Sequence, residues 1–136
     1  MNRTAAIVTS VLVSLVVIAG LVISGSPGTQ RQIRLDRQRV ADLQLLSTLV
    51  EQYWQRNSVL PATLPELIDG TRVASLPTDP VSGTSYEYRI DGQRNFTLCA
   101  TFTRAAEDDS RQTFWNHAAG RTCFDFQAEP VAAIPR

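Results

Sequence analysis

At 136 residues, with 13 basic and 13 acidic side chains and a single histidine, the chain has room for one domain of about 100 residues plus a short appendage. Zero formal net charge excludes a nucleic-acid binder that relies on a net positive field, and two cysteines with one histidine are too few for a structural zinc site. Every basic side chain apart from His117 is an arginine, which we read as a GC-rich coding bias without functional weight.

The N-terminal stretch Ala5 to Ser24 carries no charge and is rich in Val, Ile and Leu. About 20 such residues match the hydrocarbon thickness of a bilayer. The apolar region of a cleaved signal peptide is shorter, about 7 to 15 residues. The length therefore points to an uncleaved anchor through residues 5–24, with Ala19, Gly20 and Ser24 to Gly28 leaving cleavage open. Gly25 to Gly28, Gly-Ser-Pro-Gly, is a breaker cluster expected to separate this membrane helix from the next helix.

Arg31 to Arg56 is the stretch on which the rest is organised. Val40, Leu43, Leu46, Val50 and Tyr53 recur at three- and four-residue steps and share one side of a helix, while Arg39, Asp42, Gln44, Ser47 and Glu51 fall largely elsewhere. Arg31, Arg34, Arg37 and Arg39 lie close enough to the span to meet lipid phosphates or a partner's carboxylates. The alternative is a solvated helix surface balanced by Asp36 and Asp42. Counted by the positive-inside rule alone, these arginines would keep the soluble domain in the cytoplasm.

Asn57 and Ser58 can end this helix, and Leu60-Pro61 prevents its continuation. Thr63-Leu64-Pro65-Glu66 has the form of a capping box opening a short helix, Leu64 to Asp69, with Leu64, Leu67 and Ile68 docking on the core. Leu76 to Thr84, with two prolines and a Ser-Gly pair, is loop. The period then changes to two. Tyr86, Tyr88 and Ile90 alternate with Glu87 and Arg89, Asp91-Gly92 signals a hairpin, and Asn95 to Thr103 returns. That return strand puts Phe96, Leu98, Ala100 and Phe102 on one face. A third strand, Arg121 to Phe126, comes after an exposed polar loop at Arg104 to Arg111. The expected fold is α+β: an N-terminal transmembrane helix, then a long amphipathic helix packed on a small three-stranded antiparallel sheet. Residues 1–28 form the anchor and break, 29–126 the α+β domain and 127–136 a flexible tail.

Cys99 and Cys123 each lie on the face opposite their strand's phenylalanines, so a cross-strand disulfide is feasible if their Cα atoms come within about 7 Å. It would contribute about 3 kcal/mol in the chain-entropy model and needs an oxidising compartment. Two separate half-buried thiols are the alternative. Glu107, Asp108, Asp109 and Ser110 cluster oxygens but lack the spacing of an EF-hand loop, so a solvated loop is the expectation and no metal or other cofactor is assigned. His117 has no accompanying nucleophile motif; a turn residue beside Trp115, or the two together lining a ligand pocket, is the reading, and no enzyme is expected.

The order of parts resembles the type IV pilin-like proteins, and most of all the major pseudopilins of type II secretion systems. The residues that carry this are Tyr53, Trp54, Asn57, Leu60 and Pro61 at the end of the long helix, then Pro77, Asp79, Pro80, Gly83, Tyr86 and Tyr88 leading into the sheet. The resemblance covers roughly Arg34 to Ile90, the globular domain. The prepilin cleavage motif is absent, since the span has no Glu and its only glycine before the breaker is Gly20. What the resemblance implies is a structural or adaptor protein on the outer side of a cytoplasmic membrane, accessory to a secretion or pilus machine, with protein partners and self-association and no nucleic acid. The alternative is a membrane-tethered ligand-binding or sensory domain.

Overall fold

The computed structural model describes residues 3–23, 26–106 and 114–129. The chain divides into two units, Met1–Ile33 and Arg34–Arg136. The first unit contains helix α1, Arg3–Ile23, which buries none of its side chains. Arg3 is the only charged residue of α1.

Helix α2, Pro27–Asn57, begins earlier than the breaker cluster suggests. Ser26 caps it: its hydroxyl oxygen accepts from the Thr29 amide at 3.2 Å, and its carbonyl accepts from the Gln30 amide. Pro27 then occupies the first helical position, where a missing N–H costs nothing and the fixed φ suits the helix. The Gly-Ser-Pro-Gly stretch is therefore partly a helix start, and the domain boundary expected after residue 28 falls inside the first turn of α2. The other end stops where expected. Ser58 takes φ 59°, the left-handed conformation that ends helices, and the Asn57 amide side chain donates to the Tyr53 carbonyl.

After Leu60-Pro61 the expected short helix is a single 3-10 turn, Leu64–Leu67. Glu66 does reach back, but to the Ala62 amide at 3.0 Å, one residue before the Thr63 cap. Leu64 and Leu67 are buried, whereas Ile68 is exposed, contrary to the expectation that it docks on the core. The turn cannot extend to Asp69. That carboxylate collects the amides of Thr71, Arg72 and Val73 at 2.7–3.1 Å, and Gly70 turns the chain away with φ 71°. Those amides, Val73 first, hold Asp69 down to about 2.

Strands β1 (Glu87–Ile90), β2 (Asn95–Phe102) and β3 (Gly120–Gln127) form an open antiparallel sheet in the order β1-β2-β3. The pairing is a meander in which Leu98 lies between Tyr88 and Phe124, and Phe96 between Ile90 and Phe126. The period-two reading thus has the faces right, though Tyr86 stands just before β1; the hairpin loop spans the four residues 91–94. Strand β3 runs through Gln127, and Ala128, 1% exposed, donates to the Arg94 carbonyl, so the tail cannot begin at residue 127 as expected. Residues 130–136 lie outside the described part.

Leu43, Leu46 and Val50 of α2 are fully buried and join Leu64, Leu67, Phe96, Leu98, Phe102 and Phe124 in one core. Val40 and Tyr53 flank it half-buried. Trp115 covers the end of this layer, its ring 4.9 Å from that of Phe124. Burial of this stripe against the sheet, rather than helix propensity, stabilises α2 within the domain. Truncation of Leu46 to alanine is expected to cost about 2–5 kcal/mol. Denaturant unfolding of the detergent-solubilised chain, with the slope unchanged and the midpoint lowered, is the measurement that checks it.

Candidate functional site

The strongest concentration of buried charge is where α2 meets the loop that precedes β1. Arg39 and Asp36 are each 5% exposed. The Arg39 guanidinium donates from Nε to Asp79 Oδ2 at 2.6 Å and from Nη2 to Asp79 Oδ1 at 3.3 Å, a forked pair. Its Nη1 donates to Asp36 Oδ1 at 2.7 Å and to the Thr103 hydroxyl at 3.2 Å. The Asp36 carboxylate is then completed by the backbone amides of Thr103 and Arg104, both at 2.9 Å. One cation and two anions thus join three stretches of chain, and among the described residues no buried side-chain nitrogen or oxygen is left without a partner.

Asp79 is built for this by its own loop. Its Oδ1 also accepts from the amides of Val81 and Ser82 at 2.9 Å, its amide donates to the Thr84 carbonyl, and its carbonyl accepts from Gly83. Pro80 fixes the first residue of the turn, and Gly83 supplies φ 70°, where a side chain would be strained. Arg39 holds the Asp79 carboxyl well below the ordinary carboxylate range, with the Ser82 and Val81 amides assisting against burial. The reciprocal bond to Asp79 raises Arg39 despite its own desolvation.

Two tyrosines complete the joint. Tyr86, 6% exposed, donates to Asp42 at 2.7 Å, and Tyr88 donates to the Pro61 carbonyl at 2.9 Å. Burial raises both hydroxyls, that of Tyr88 to about 12, so each remains a donor at neutral pH. Asp79, Gly83, Tyr86 and Tyr88, which carry the family resemblance, all position the helix on the sheet.

This corrects one of the arginines assigned to a lipid or partner contact. Arg39 is inside, because it precedes Leu43 by four residues and Leu46 by seven and so shares their stripe. Arg31, Arg34 and Arg37 are on the surface of α2 as expected. The meeting of Asp36 and Asp79 at Arg39 is not among the expectations from sequence. The i, i+3 spacing of Asp36 and Arg39 on the apolar stripe is the available signal.

Cys99 and Cys123 are register partners, with Cα atoms 4.0 Å apart and sulfurs at disulfide distance, 2.15 Å. They lie on the face away from α2's core stripe. Glu87 and Arg121 form a forked ion pair there, with bonds of 2.6 to 3.2 Å. Thr97, 2% exposed, sits beside them with its hydroxyl between the carboxylates of Asp91 and Asp125, the latter at 2.7 Å.

Neither Trp115 nor His117 lines the cavities beside Asp79 and over Thr97. Trp115 packs on Phe124 and Phe126, while the His117 ring stacks on Phe102 with centroids 3.6 Å apart. A cavity of about 440 Å³ lies beside Asp79, with Ser82, Thr84, Glu87, Cys99, Thr101 and Thr103 in its lining, and a second of about 490 Å³ lies over Thr97 between Arg89 and Asp125. Among the described residues no group of three or more His, Cys, Asp or Glu is arranged to hold a metal ion. Residues 107–110, the acidic cluster weighed for calcium, lie outside the described residues.

Replacing Arg39 by methionine leaves two carboxylates buried without their cation and is expected to cost about 3–5 kcal/mol at neutral pH. Asp79 is depressed in the fold and near 3.9 in the unfolded chain, so its contribution is full above that pH and is lost as pH falls toward its folded value. Asp79→Asn is therefore expected to be less stable at pH 7 and to show a shallower loss between about pH 5 and 2 than the parent, as read by thermal melts across that range.

No protein-family model, no curated protein sequence and no solved structure matches this chain, so the likeness to pseudopilins stands on the residues quoted for it.

Proposed function

We propose that this is a single-pass protein of a cytoplasmic membrane whose α+β domain stands outside the cytoplasm as a structural or adaptor module. In the manner of a pseudopilin domain, it would serve a secretion or pilus machine. The observation that carries the reading is α1. Its 21 residues are long and apolar enough to cross a bilayer, and none of them is buried against the protein. Exposed Ile, Leu and Val side chains along such a helix are stable when lipid or other apolar helices cover them.

Two features support the location and the role. A cysteine pair at disulfide distance suits an oxidising compartment and outweighs the arginine count in the choice of side. Arg31 and Arg34 remain exposed beyond the span, where phosphate headgroups or a partner's carboxylates can meet them. Along the exposed side of α2 the residues Gln38, Ala41, Leu45, Thr48, Gln52 and Gln55 succeed one another at three- and four-residue steps without a charge, and Leu45 is 49% exposed. An uncharged stripe of this kind suits packing against the same helix of another copy. The second reading, a tethered ligand-binding domain, is favoured by the cavity beside Asp79.

Membrane fractions of cells making the full chain test the anchor. The protein is expected to resist extraction by alkaline carbonate and to retain residues 5–24 by intact mass; a soluble, shortened chain would mean a cleaved signal instead. In the same cells, an impermeant thiol reagent is expected to label Cys99 and Cys123 only after external reduction. Labelling that requires rupture of the inner membrane would put the domain in the cytoplasm. For the structural role, Leu45→Glu is expected to abolish cross-linked multimers while leaving the thermal midpoint within about 2 °C, since an exposed site carries little stability. Multimers that persist unchanged, or a parent that is monomeric and stabilised by a small ligand, favour the binding reading.

A further inference from the structure

The disulfide lies across the sheet, from its central strand to an edge strand, and the two ends of its sulfur–sulfur axis meet different surroundings. Cys99 is buried, 4% exposed, and its register partner on the far side is Glu87 of β1. That carboxylate is held by Arg121, whose Nη2 also stands 3.5 Å from the Cys99 sulfur. The Glu87–Arg121 pair therefore passes from β1 to β3 over β2 and screens Cys99, although Glu87 and Cys99 also line the cavity beside Asp79. Cys123 is exposed, and among the described residues its strand pairs with β2 alone.

Exchange at a disulfide requires a thiolate to approach one sulfur in line with the bond that breaks, so access behind each sulfur decides which is attacked. We propose that Cys99–Cys123 is a directional exchange site for an external dithiol, attacked at Cys123 with Cys99 as the leaving group. The partner thiolate forms a bond to Cys123 Sγ as the Cys99–Cys123 bond breaks, and the electron pair departs on Cys99 Sγ. Arg121 Nη2 donates to that sulfur as charge develops on it. The partner's second thiolate then attacks the partner sulfur of the mixed disulfide and releases Cys123. The partner gains a disulfide and gives up two electrons and two protons, and this chain ends with two thiols. Glu87 repels a thiolate that approaches from the other end. Seven register pairs besides Cys99–Cys123 join β2 and β3, so the sheet persists while the bond is open. The partner class this fits is a dithiol oxidoreductase working at an exposed sheet edge, and the chemistry stands whether or not the domain is pseudopilin-like.

Reduced glutathione, a monothiol that stops at the mixed disulfide, is the probe. The oxidised full chain in detergent is exposed to it briefly, quenched with acid, and its free thiols are alkylated before peptide mass mapping. Glutathione is expected on Cys123 and alkyl on Cys99, by at least about tenfold over the reverse. Equal adducts, adducts mainly on Cys99, reaction only in denaturant, or free thiols at the outset would each overturn the proposal. Glu87→Gln is expected to raise the share attacked at Cys99, and Arg121→Gln to slow exchange about three- to tenfold. Folding of each variant is read by circular dichroism, and a folded Arg121→Gln chain that exchanges at the parent rate would remove Arg121 from the mechanism.

Discussion

A guanidinium removed from water has to be surrounded by acceptors, and at Arg39 the domain is arranged to provide them. The cation sits on α2, one anion sits three residues earlier on the same helix, and the other sits in the loop that enters the sheet. A buried pair of this kind adds little net stability over a well-packed apolar alternative, because desolvation offsets much of the Coulomb attraction. What it does impose is a single position. An apolar stripe can slide along a sheet at small cost, whereas a forked Arg–carboxylate pair with its acceptors in place has one register. With Tyr86 on Asp42 and Tyr88 on the Pro61 carbonyl, it places Leu43, Leu46 and Val50 over Phe96, Leu98 and Phe124 in one way.

Much of this fold is legible in the residues alone, for identifiable reasons. The sheet is a meander, so each strand's partner is its neighbour in sequence, and the alternation of Phe96, Leu98, Ala100 and Phe102 against Thr97 and Cys99 suffices to assign both faces. The cysteine parity comes from the same alternation. Arg39 is the exception, because its charge suggests the surface while its spacing puts it on the buried stripe. A charge on an apolar stripe signals a buried partner rather than solvent. The partner itself, Asp79, lies 40 residues away, a distance over which no local pattern operates. The short helix fails for a local reason, since the Asp69 side chain takes the amides of Thr71, Arg72 and Val73 and turns the chain away.

The two regions of greatest functional interest differ in kind. The Arg39 joint is closed: every charge in it is answered, and its residues hold elements together. The opposite face of the sheet is open, with an ion pair, a cysteine pair and a row of carboxylates available to solvent or to a partner. The proposed role as a component of an assembly would draw on this surface and on the uncharged side of α2.

The connectivity of the Arg39 joint also sets a timetable. Asp36 and Arg39 can meet as soon as the first turns of α2 form, being three residues apart. Asp79 arrives only when 40 more residues have emerged, and the amides of Thr103 and Arg104 complete the Asp36 carboxylate 67 and 68 residues after it. A chain delivered N-terminus first therefore carries a half-satisfied Arg39 through the next 40 residues of synthesis, and α2 gains its final seat only after β2 has been made. Any factor that attends this protein as it emerges would meet α2 with its apolar stripe bare and its arginine still short of acceptors.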